Sequence, residues 1–477
     1  MGDEIPSSHF SSKDLKIFTD RLRVETQLVS DWIAQDRFSF EQKMFGYELE
    51  AWLIDRNFRP APINEQFLQA LDDPLVVPEL ASFNFELNSS PQRLTDKVFT
   101  DMKQGLSQIC NRCRHHAQLL DADMLMIGIL PTVRETDLSL EHMSNSPRYR
   151  ALNEQVFRLR QGRPIQIDIK GQEHLTTRHD DVMLEAATTS FQLHLQIPAD
   201  LAVRYYNAAI ILSGPMVAAT GNSPYLFGKH LWEETRIPLF EQAVSIGGHK
   251  HSEAGDLKRV SFGTGYAKNS LLECFLENRD HYPVILPVLF DEPPEALAHL
   301  RLHNGTIWRW NRPLIGFNAE GEPHLRIEHR VVSAGPSIID TVANAALFVG
   351  VIKSLVDEAI PQEQILSFSV ARHNFYAAAH LGLQARFHWF NGNYLDAGEY
   401  ILKYMLPLAH TGLERLDINK DDIQRYLGII EQRIITGQTG ANWQQRYAAA
   451  HDDDMGALAA AYAMQQQQGK PVHEWPI

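Results

Sequence analysis

Four segments of the chain alternate between apolar and polar positions, the pattern of strands that bury one face of a sheet. The segments are FGYELEAWLID (45–55), FNFELNSSP (83–91), SFQLHLQI (190–197) and HLRIEHRVV (324–332). A sheet face in water usually shows Ser, Thr, Lys and mixed charges, whereas these polar positions collect acids, amides, a histidine and two arginines. One such strand alone would suit a sheet edge facing solvent. The four together predict a polar face that lines a cavity.

The polar positions supply the groups of a metal and phosphate site. Strand alternation places four acids and a histidine on the polar face; they are Glu48, Glu50, Glu86, His194 and Glu328. Hard Mg²⁺ or Mn²⁺ binds carboxylate oxygens, and a histidine suits Mn²⁺. Arg330 lies two positions after Glu328 on the same face, and an arginine fork binds phosphate oxygens. The pattern therefore favours phosphoryl-transfer chemistry that uses divalent cations.

Helical periodicity is found on either side of these strands. The predicted helices are 12–35, 94–120 and 199–220, with Pro215 expected to kink or break the third, and a run of helices from residue 337 onward. Residues 241–306 show only loops and weak strands. No repeat or clear linker divides the chain. The pattern predicts one large α+β domain with a helical C-terminal cap.

Three segments describe this organisation. An N-terminal helical segment (1–38) precedes a catalytic core (39–360), and a helical C-terminal region (361–477) packs on that core. Within the core, residues 145–182 are polar and mixed, with IQIDIKG (165–171) as one arm of a hairpin. We interpret them as a lid or an insertion that selects the substrate.

The amino-acid composition of the chain argues against some classes of binding partner. The 477 residues carry 44 Lys and Arg against 59 Asp and Glu, a formal charge of −15, which argues against nucleic acid. The N-terminal stretch is polar, and apolar stretches such as ANAALFVGVI (343–352) are too short to span a bilayer, so a cytoplasmic protein without a membrane partner is expected. Three cysteines give no disulfide framework. Cys110 and Cys113 share a helical stripe with apolar residues and are interpreted as core.

Familiar nucleotide and hydrolase motifs are absent from the sequence. It contains no GxxxxGK[ST], no GxGxxG after a strand and no GxSxG. The loop GGHKH contributes His249 and His251, which are interpreted as solvated residues, not as metal ligands. No familiar nucleotide loop therefore competes with the polar sheet face.

Six motifs follow one another along the chain: GYELEAWLID, FELNSSP, DVMLEAATTSFQLHLQI, GNSPYLFGKHLWEETR, TIWRWNRP and HLRIEHRVVSAGPSIIDTVANA. Their order resembles glutamate-cysteine ligase family 2, which includes plant-type γ-glutamylcysteine synthetases and bacterial carboxylate-amine ligases. The resemblance runs from about residue 40 to about residue 445. It implies a glutamine-synthetase-like fold, a curved, largely antiparallel sheet with helices on its outer face. The concave polar face would hold ATP and Mg²⁺ or Mn²⁺ ions.

The resemblance also implies roles for single residues. It implies metal binding by Glu48, Glu50, Glu86, His194 and Glu328, with Glu86 on the metal or the substrate side. Arg330 would hold the transferring phosphate, and Arg330 and Glu50 are the residues expected to matter most for turnover. Three further arginines are implied to contact substrate carboxylate or phosphates; they are Arg236, Arg309 and Arg312.

The implied reaction joins a carboxylate to an amine at the expense of ATP. ATP would phosphorylate the carboxylate, in this family typically the γ-carboxylate of glutamate, to an acyl phosphate that the amine attacks. Cysteine is the default acceptor, which suggests glutathione biosynthesis, and a homo-oligomer is compatible with the sequence. Two alternatives stay open: a metal-dependent hydrolase that uses the same acids and histidine to activate water, and a non-catalytic relative that binds nucleotide or a partner. The hydrolase has no obvious use for so many arginines.

Overall fold

The computed structural model describes residues 9–40, 43–246, 258–388 and 394–477, so His249 and His251 lie outside the described residues. The strands are β1 (Met44–Ile54), β2 (Val76–Pro78), β3 (Asn84–Asn88), β4 (Gln92–Arg93), β5 (Asp123–Leu125), β6 (Ile165–Lys170), β7 (His174–His179), β8 (Ser190–Ile197), β9 (Tyr225–Leu226), β10 (Lys229–His230), β11 (Val260–Ser261), β12 (Trp308–Arg309), β13 (Asn311–Phe317), β14 (Pro323–Ser333), β15 (Arg386–His388) and β16 (Tyr394–Asp396).

The α-helices are α1 (Ser12–Ala34), α2 (Asn64–Leu71), α3 (Val98–Gln118), α4 (Pro147–Leu159), α5 (Ala202–Thr220), α6 (Arg236–Ala243), α7 (Leu272–His281), α8 (Ala298–Gly305), α9 (Ile338–Asp357), α10 (Phe368–Leu381), α11 (Ala397–Tyr400), α12 (Leu406–Glu414), α13 (Lys420–Ile435), α14 (Gly440–Ala450) and α15 (Met455–Gln468). A π-helical turn, Ile401–Met405, joins α11 to α12.

Within the described ranges, an eight-stranded sheet forms the centre of the molecule. Its strands follow the order β13-β14-β8-β1-β3-β2, and β4 and β5 also pair with β1. The pairings in this sheet are antiparallel. The four alternating segments supply β1, β3, β8 and β14. The predicted α+β fold on a largely antiparallel sheet is confirmed.

The register brings the polar sides of these strands to one face. His194 lies opposite Glu328 on the neighbouring strand, and Glu328 lies opposite Arg312. On the other side of β1, Glu50 lies opposite Glu86. Directly opposite residues on paired strands share a face, so these side chains project from the same side of the sheet.

The other face of the sheet belongs to the hydrophobic core. Leu49, Leu193 and Ile327, from three adjacent strands, are fully buried there. Helix α5 packs on β14, and α9 packs on α5. The strands therefore have an apolar side anchored in the core and a polar side left for a site.

Two core helices differ from expectation. Pro215 was expected to kink or break the helix; α5 continues through it, so a break is wrong, whereas a kink stays a prediction. Residues 205–220 are all buried, and packing outweighs the lost hydrogen bond. The stretch 343–352, expected to be too short for a bilayer, belongs to α9, which is long and apolar enough to cross one by length and composition. The protein buries 83% of the apolar window of α9, as is typical of a core helix.

Two other segments contain helices and strands that are too short for the periodicity of the sequence to reveal them. Residues 145–182 contain α4 and the hairpin of β6 and β7. Residues 241–306, expected to be loops and weak strands, contain α7 and α8, which are only 10 and 8 residues long. Cys110 and Cys113 are buried in α3, which confirms their place in the core, and burial raises the pKa of Cys110 to about 12. The division into three segments stays a prediction.

Candidate active site

A cavity of about 250 Å³ lies over the polar face of the sheet. Its sheet-borne lining consists of Glu48, Glu50, His194, Arg312, Leu314, Ile315, Arg326, Glu328 and Arg330. One wall comes from α8 and the loop before it, and α4 and the 3₁₀ turn Met183–Ala187 contribute another. The sheet side of the cavity therefore carries acidic and basic side chains, and apolar side chains contribute to its other walls.

Glu48, His194 and Glu328 form the first of two candidate metal clusters. One ligand atom from each lies within 4.8 Å of the others. The Nε2 atom of His194 is 3.3 Å from Glu48 Oε1 and 3.7 Å from Glu328 Oε1. Burial opposes the negative charge of Glu48, but His194 and Arg330 act against burial, and the balance holds the Glu48 pKa below its ordinary value. This carboxylate is therefore ionised at neutral pH.

Glu50, Glu79 and Glu86 form the second cluster, again with ligand atoms within 4.8 Å of one another. Glu50 is oriented by the main-chain N–H of Ser190 (2.7 Å) and by Nε2 of Gln192 (2.9 Å). Burial raises the pKa of Glu86 to about 8 and also raises the pKa values of Glu50 and Glu79. Burial and mutual repulsion thus favour the protonated form of these acids, and a bound divalent cation would favour the ionised form.

Two arginines hold the first cluster. Arg312 forms a bidentate ion pair with Glu328, with Nε–Oε2 and Nη2–Oε1 distances of 2.7 and 2.8 Å. Nη1 of Arg330 donates to Glu328 Oε2 (3.1 Å) and to Gln192 Oε1. Burial opposes the charge of Glu328, but the two guanidinium groups outweigh it and lower the Glu328 pKa to about 2. Both arginines line the cavity.

The structure keeps the other two implied arginines apart from this group. Nη2 of Arg236 donates to the carbonyl oxygens of Val331 (2.6 Å) and Arg330 (3.3 Å). Arg309 forms a buried ion pair with Glu277 at 3.2 Å. In the part of the chain that the structure describes, neither arginine lines the cavity. The geometry gives them supporting roles, and their contact with substrate remains a prediction.

Two acidic residues of the cavity were not predicted from the strand pattern. Glu79 follows β2, a strand of three residues, and Glu185 lies in the turn Met183–Ala187, so neither is part of an alternating run. Both line the cavity, and burial raises the pKa of Glu185 to about 8. A signal for Glu79 did exist, because an acid inside the apolar stretch VVPELASF (76–83) is unexpected on composition.

The donor set of the two clusters fits hard divalent cations. It consists of five carboxylates and one imidazole, which are ligands of Mg²⁺ and Mn²⁺ sites. Within the described ranges, the Nδ1 atom of His194 and the Oε1 atom of Glu79 are buried without a hydrogen-bond partner. Buried polar atoms are normally paired, so these atoms are placed to receive a ligand.

The sequence as a whole matches one family of enzymes. The profile of glutamate-cysteine ligase family 2 matches residues 44–464, which include both clusters as well as Arg312 and Arg330. The chain belongs to this family. It is therefore a carboxylate-amine ligase, and the resemblance drawn from the six motifs is confirmed. A comparison with curated proteins gave no match.

Solved ligase structures share the fold. A glutamate-cysteine ligase from Francisella tularensis in complex with AMP superposes with a TM-score of 0.55 at 12% identity, covering 92% of this chain and 91% of that one. A bifunctional glutathione synthetase from Pasteurella multocida also gives a TM-score of 0.55, at 11% identity and 95% coverage of this chain. The chain spans only 55% of that longer protein. The glutamine-synthetase-like architecture expected for the ligase is confirmed.

Proposed function

We propose that this ligase is ATP-dependent and forms a γ-glutamyl amide through an acyl phosphate, with cysteine as the first acceptor to test. The observation that carries the proposal is one cavity whose lining brings Arg312 and Arg330 together with carboxylates of both clusters, Glu86 being the one cluster member buried behind that lining. A cavity with these groups can accept a polyphosphate, because cations bound by the acids and the fixed guanidinium groups would offset its charge.

The carboxylate clusters supply the metal ligands in this proposal. Glu48, His194 and Glu328 would hold one Mg²⁺ or Mn²⁺ site, and the second cluster would hold another. Bound divalent cations neutralise nucleotide phosphates and favour phosphoryl transfer. Ser190 and Gln192 keep Glu50 turned toward its cluster. The strong Arg312–Glu328 pair keeps the other cluster ionised.

Arg330 is the residue proposed to hold the transferring phosphoryl group. Its Nη1 atom is fixed by Glu328 and Gln192, and its side chain lines the cavity. A carboxylate oxygen of the substrate attacks the γ-phosphorus of ATP, ADP leaves, and an acyl phosphate forms. The amine then attacks the acyl carbon and releases phosphate. A preorganised guanidinium stabilises the charge on the transferring group most strongly in the transition state.

The proposed substrates are supported by the similarity to a known ligase more than by the geometry of the cavity. The Francisella relative is described as a glutamate-cysteine ligase in complex with AMP, which supports adenine nucleotide, glutamate and cysteine as first choices. Arg148 and Tyr149 of α4 also line the cavity, and Arg148 offers a cation for a substrate carboxylate. Residues 145–182 thereby become candidates for selecting the acceptor. A cytoplasmic location and a role in glutathione biosynthesis remain part of the proposal.

The experiment is a product assay with single omissions. Purified protein is incubated with ATP, glutamate, cysteine and Mg²⁺, and ADP, phosphate and the amide are quantified by mass spectrometry. Amide formation that requires all four components, and that excess EDTA abolishes, supports the proposal. A panel of other amino acids and amines replaces cysteine if that acceptor fails. Hydrolysis of an amide without ATP would support the hydrolase, and nucleotide binding without turnover would support the non-catalytic relative.

A further inference from the structure

The N-terminal helix α1 buries a carboxylate at the outer side of the cavity wall. Its inward stripe is apolar and buried, consisting of Phe18, Leu22, Val29 and Trp32. Glu25 lies on the same stripe and is only 3% exposed. A buried carboxylate is costly unless it has specific hydrogen-bond partners. The partners of Glu25 therefore indicate what this helix does.

Glu25 acts as the N-terminal cap of α8. Its Oε2 atom accepts from the main-chain N–H of Leu300 (2.7 Å), and its Oε1 atom lies 2.5 Å from Nδ1 of His299. Leu300 is the third residue of α8, whose own N-cap residue, Leu297, makes no side-chain cap. The first N–H groups of a helix need acceptors, and negative charge is favourable there. Another helix thus supplies the cap that α8 lacks.

Arg21 and His299 extend this contact to the loop before α8. Nε2 of His299 lies 3.4 Å from the donating N–H of Phe290, and Arg21 donates to the carbonyl oxygen of Phe290. Because Nε2 accepts, Nδ1 is the ring nitrogen that donates, and it faces Glu25. Arg21, Glu25 and His299 are called the α1 clasp. They fix both the loop and the start of α8.

The wall held by the α1 clasp brings apolar side chains to the cavity, together with the polar residues Glu292, Arg301, Asn304 and Thr306. The apolar lining of this wall and of β13 includes Phe290, Leu300, Leu302, Leu314 and Ile315. At the far end of α8, Nη1 of Arg312 donates to the carbonyl oxygen of Gly305 (3.3 Å). Helix α8 therefore connects the clasp to the arginine that holds Glu328. A slot with apolar side chains that leads to guanidinium groups and candidate metal ligands suits a nucleotide.

We propose that Glu25 is a positioning residue for nucleotide binding and acts through α8. This inference rests on the proposed ATP-dependent function. With the cap in place, the wall of the slot is formed before the nucleotide arrives. Without it, the first turn of α8 is ordered only on binding, and that ordering costs affinity. The effect falls on nucleotide affinity and leaves the chemistry of the loaded enzyme intact.

The test compares nucleotide affinity in wild type, Glu25→Ala and Glu25→Gln. Isothermal calorimetry with Mg²⁺ and a non-hydrolysable ATP analogue gives Kd, and steady-state kinetics give KM for ATP and kcat. In Glu25→Ala, Kd and KM are expected to rise about tenfold, the usual magnitude of a lost cap. The value of kcat should stay within about twofold. Glu25→Gln keeps an acceptor for the Leu300 N–H and should recover part of the affinity.

Asp340 provides a matched control. It is also a buried carboxylate, and it does not line the cavity. It accepts hydrogen bonds from Nη2 of Arg433 (2.8 Å), the main-chain N–H of Val472 (2.9 Å) and the hydroxyl of Ser337 (2.6 Å). Asp340→Asn should lower Tm and leave the Kd unchanged.

Equal Kd values for wild type and Glu25→Ala, with only Tm lowered, would overturn the inference. If Glu25→Ala does not fold, the Kd of Glu25→Gln is compared with that of wild type instead, and equal values would again overturn the inference. A wild-type protein that binds no nucleotide would overturn the proposed function and this inference together.

Discussion

Arg312 lies directly opposite Glu328 on the neighbouring strand and holds its carboxylate with two hydrogen bonds of 2.7 and 2.8 Å. This fork keeps Glu328 ionised, with a pKa of about 2, before any ligand binds. The second cluster is the opposite case, since burial raises the pKa of Glu86 to about 8. One half of the site is therefore charge-compensated by the protein, whereas the other requires a cation or protons.

Replacement of Arg330 by lysine tests the role in phosphoryl transfer. Arg330→Lys keeps the charge but loses the planar fork, so kcat should fall by roughly two to three orders of magnitude, about 3 to 4 kcal/mol of transition-state stabilisation. Apparent ATP affinity should change less. Steady-state kinetics with saturating metal measure both. Arg433→Lys, a buried arginine that does not line the cavity, should keep kcat near wild type. A near-normal kcat for Arg330→Lys would show that Arg330 does not hold the phosphoryl group and that another arginine must do so.

Replacement of Glu328 by glutamine tests the ion pair with Arg312. Glu328→Gln leaves two guanidinium groups without their shared anion, so the free energy of unfolding of the metal-free protein should fall by about 2 kcal/mol. Glu86→Gln is the control, because Glu86 is protonated at pH 7 without metal and loses little charge on substitution. Urea denaturation at pH 7 in EDTA measures both variants. Equal losses of stability would show that the two clusters are not electrostatically distinct.

The raised pKa values predict a pH dependence of stability. Glu86 and Glu185 have pKa values of about 8 when folded, against 4.5 ordinarily, so the folded state binds more protons between these values. These two acids should therefore make the free energy of unfolding of the metal-free protein decrease as pH rises from about 4.5 to 8, by up to about 1.4 kcal/mol per pH unit for each acid. Below about pH 6.5, His303, His324 and His329 contribute in the opposite direction, because burial lowers their pKa values, so the decrease should be clearest between about pH 6.5 and 8. Urea denaturation in EDTA from pH 5 to 8 measures the slope. Glu86→Gln should flatten it, and an unchanged slope would contradict the pKa assignment.

Strand alternation predicted most of the sheet-borne site. A period of two residues fixes which side chains share a face, and antiparallel pairing then places Glu328 beside His194 and Glu50 beside Glu86. These strands could be predicted without knowledge of tertiary contacts, because each has one side buried in the core and therefore alternates between apolar and polar residues. Arg312 was expected from the resemblance alone, and the structure places it in the cavity because β13 sets it opposite Glu328. Arg309 belongs to β12 and pairs with Glu277 instead.

Other parts of the site depend on packing that the sequence does not display. Glu79 and Glu185 lie in a loop and a short turn, where no period links one side chain to another. Helix α8 is too short for a clear stripe and lacks its own cap. Its acceptor, Glu25, is more than 250 residues away in sequence, and only the tertiary fold brings the two together.

Transfer of labelled oxygen tests the central claim most directly. Glutamate carrying ¹⁸O in its γ-carboxylate, or the carboxylate substrate found in the product assay, is turned over with ATP, the amine and Mg²⁺, and the phosphate is examined by mass spectrometry. An acyl phosphate gives up one carboxylate oxygen when the amine attacks, so the account predicts one ¹⁸O atom in each phosphate released. Amide formation accompanied by unlabelled phosphate would contradict it.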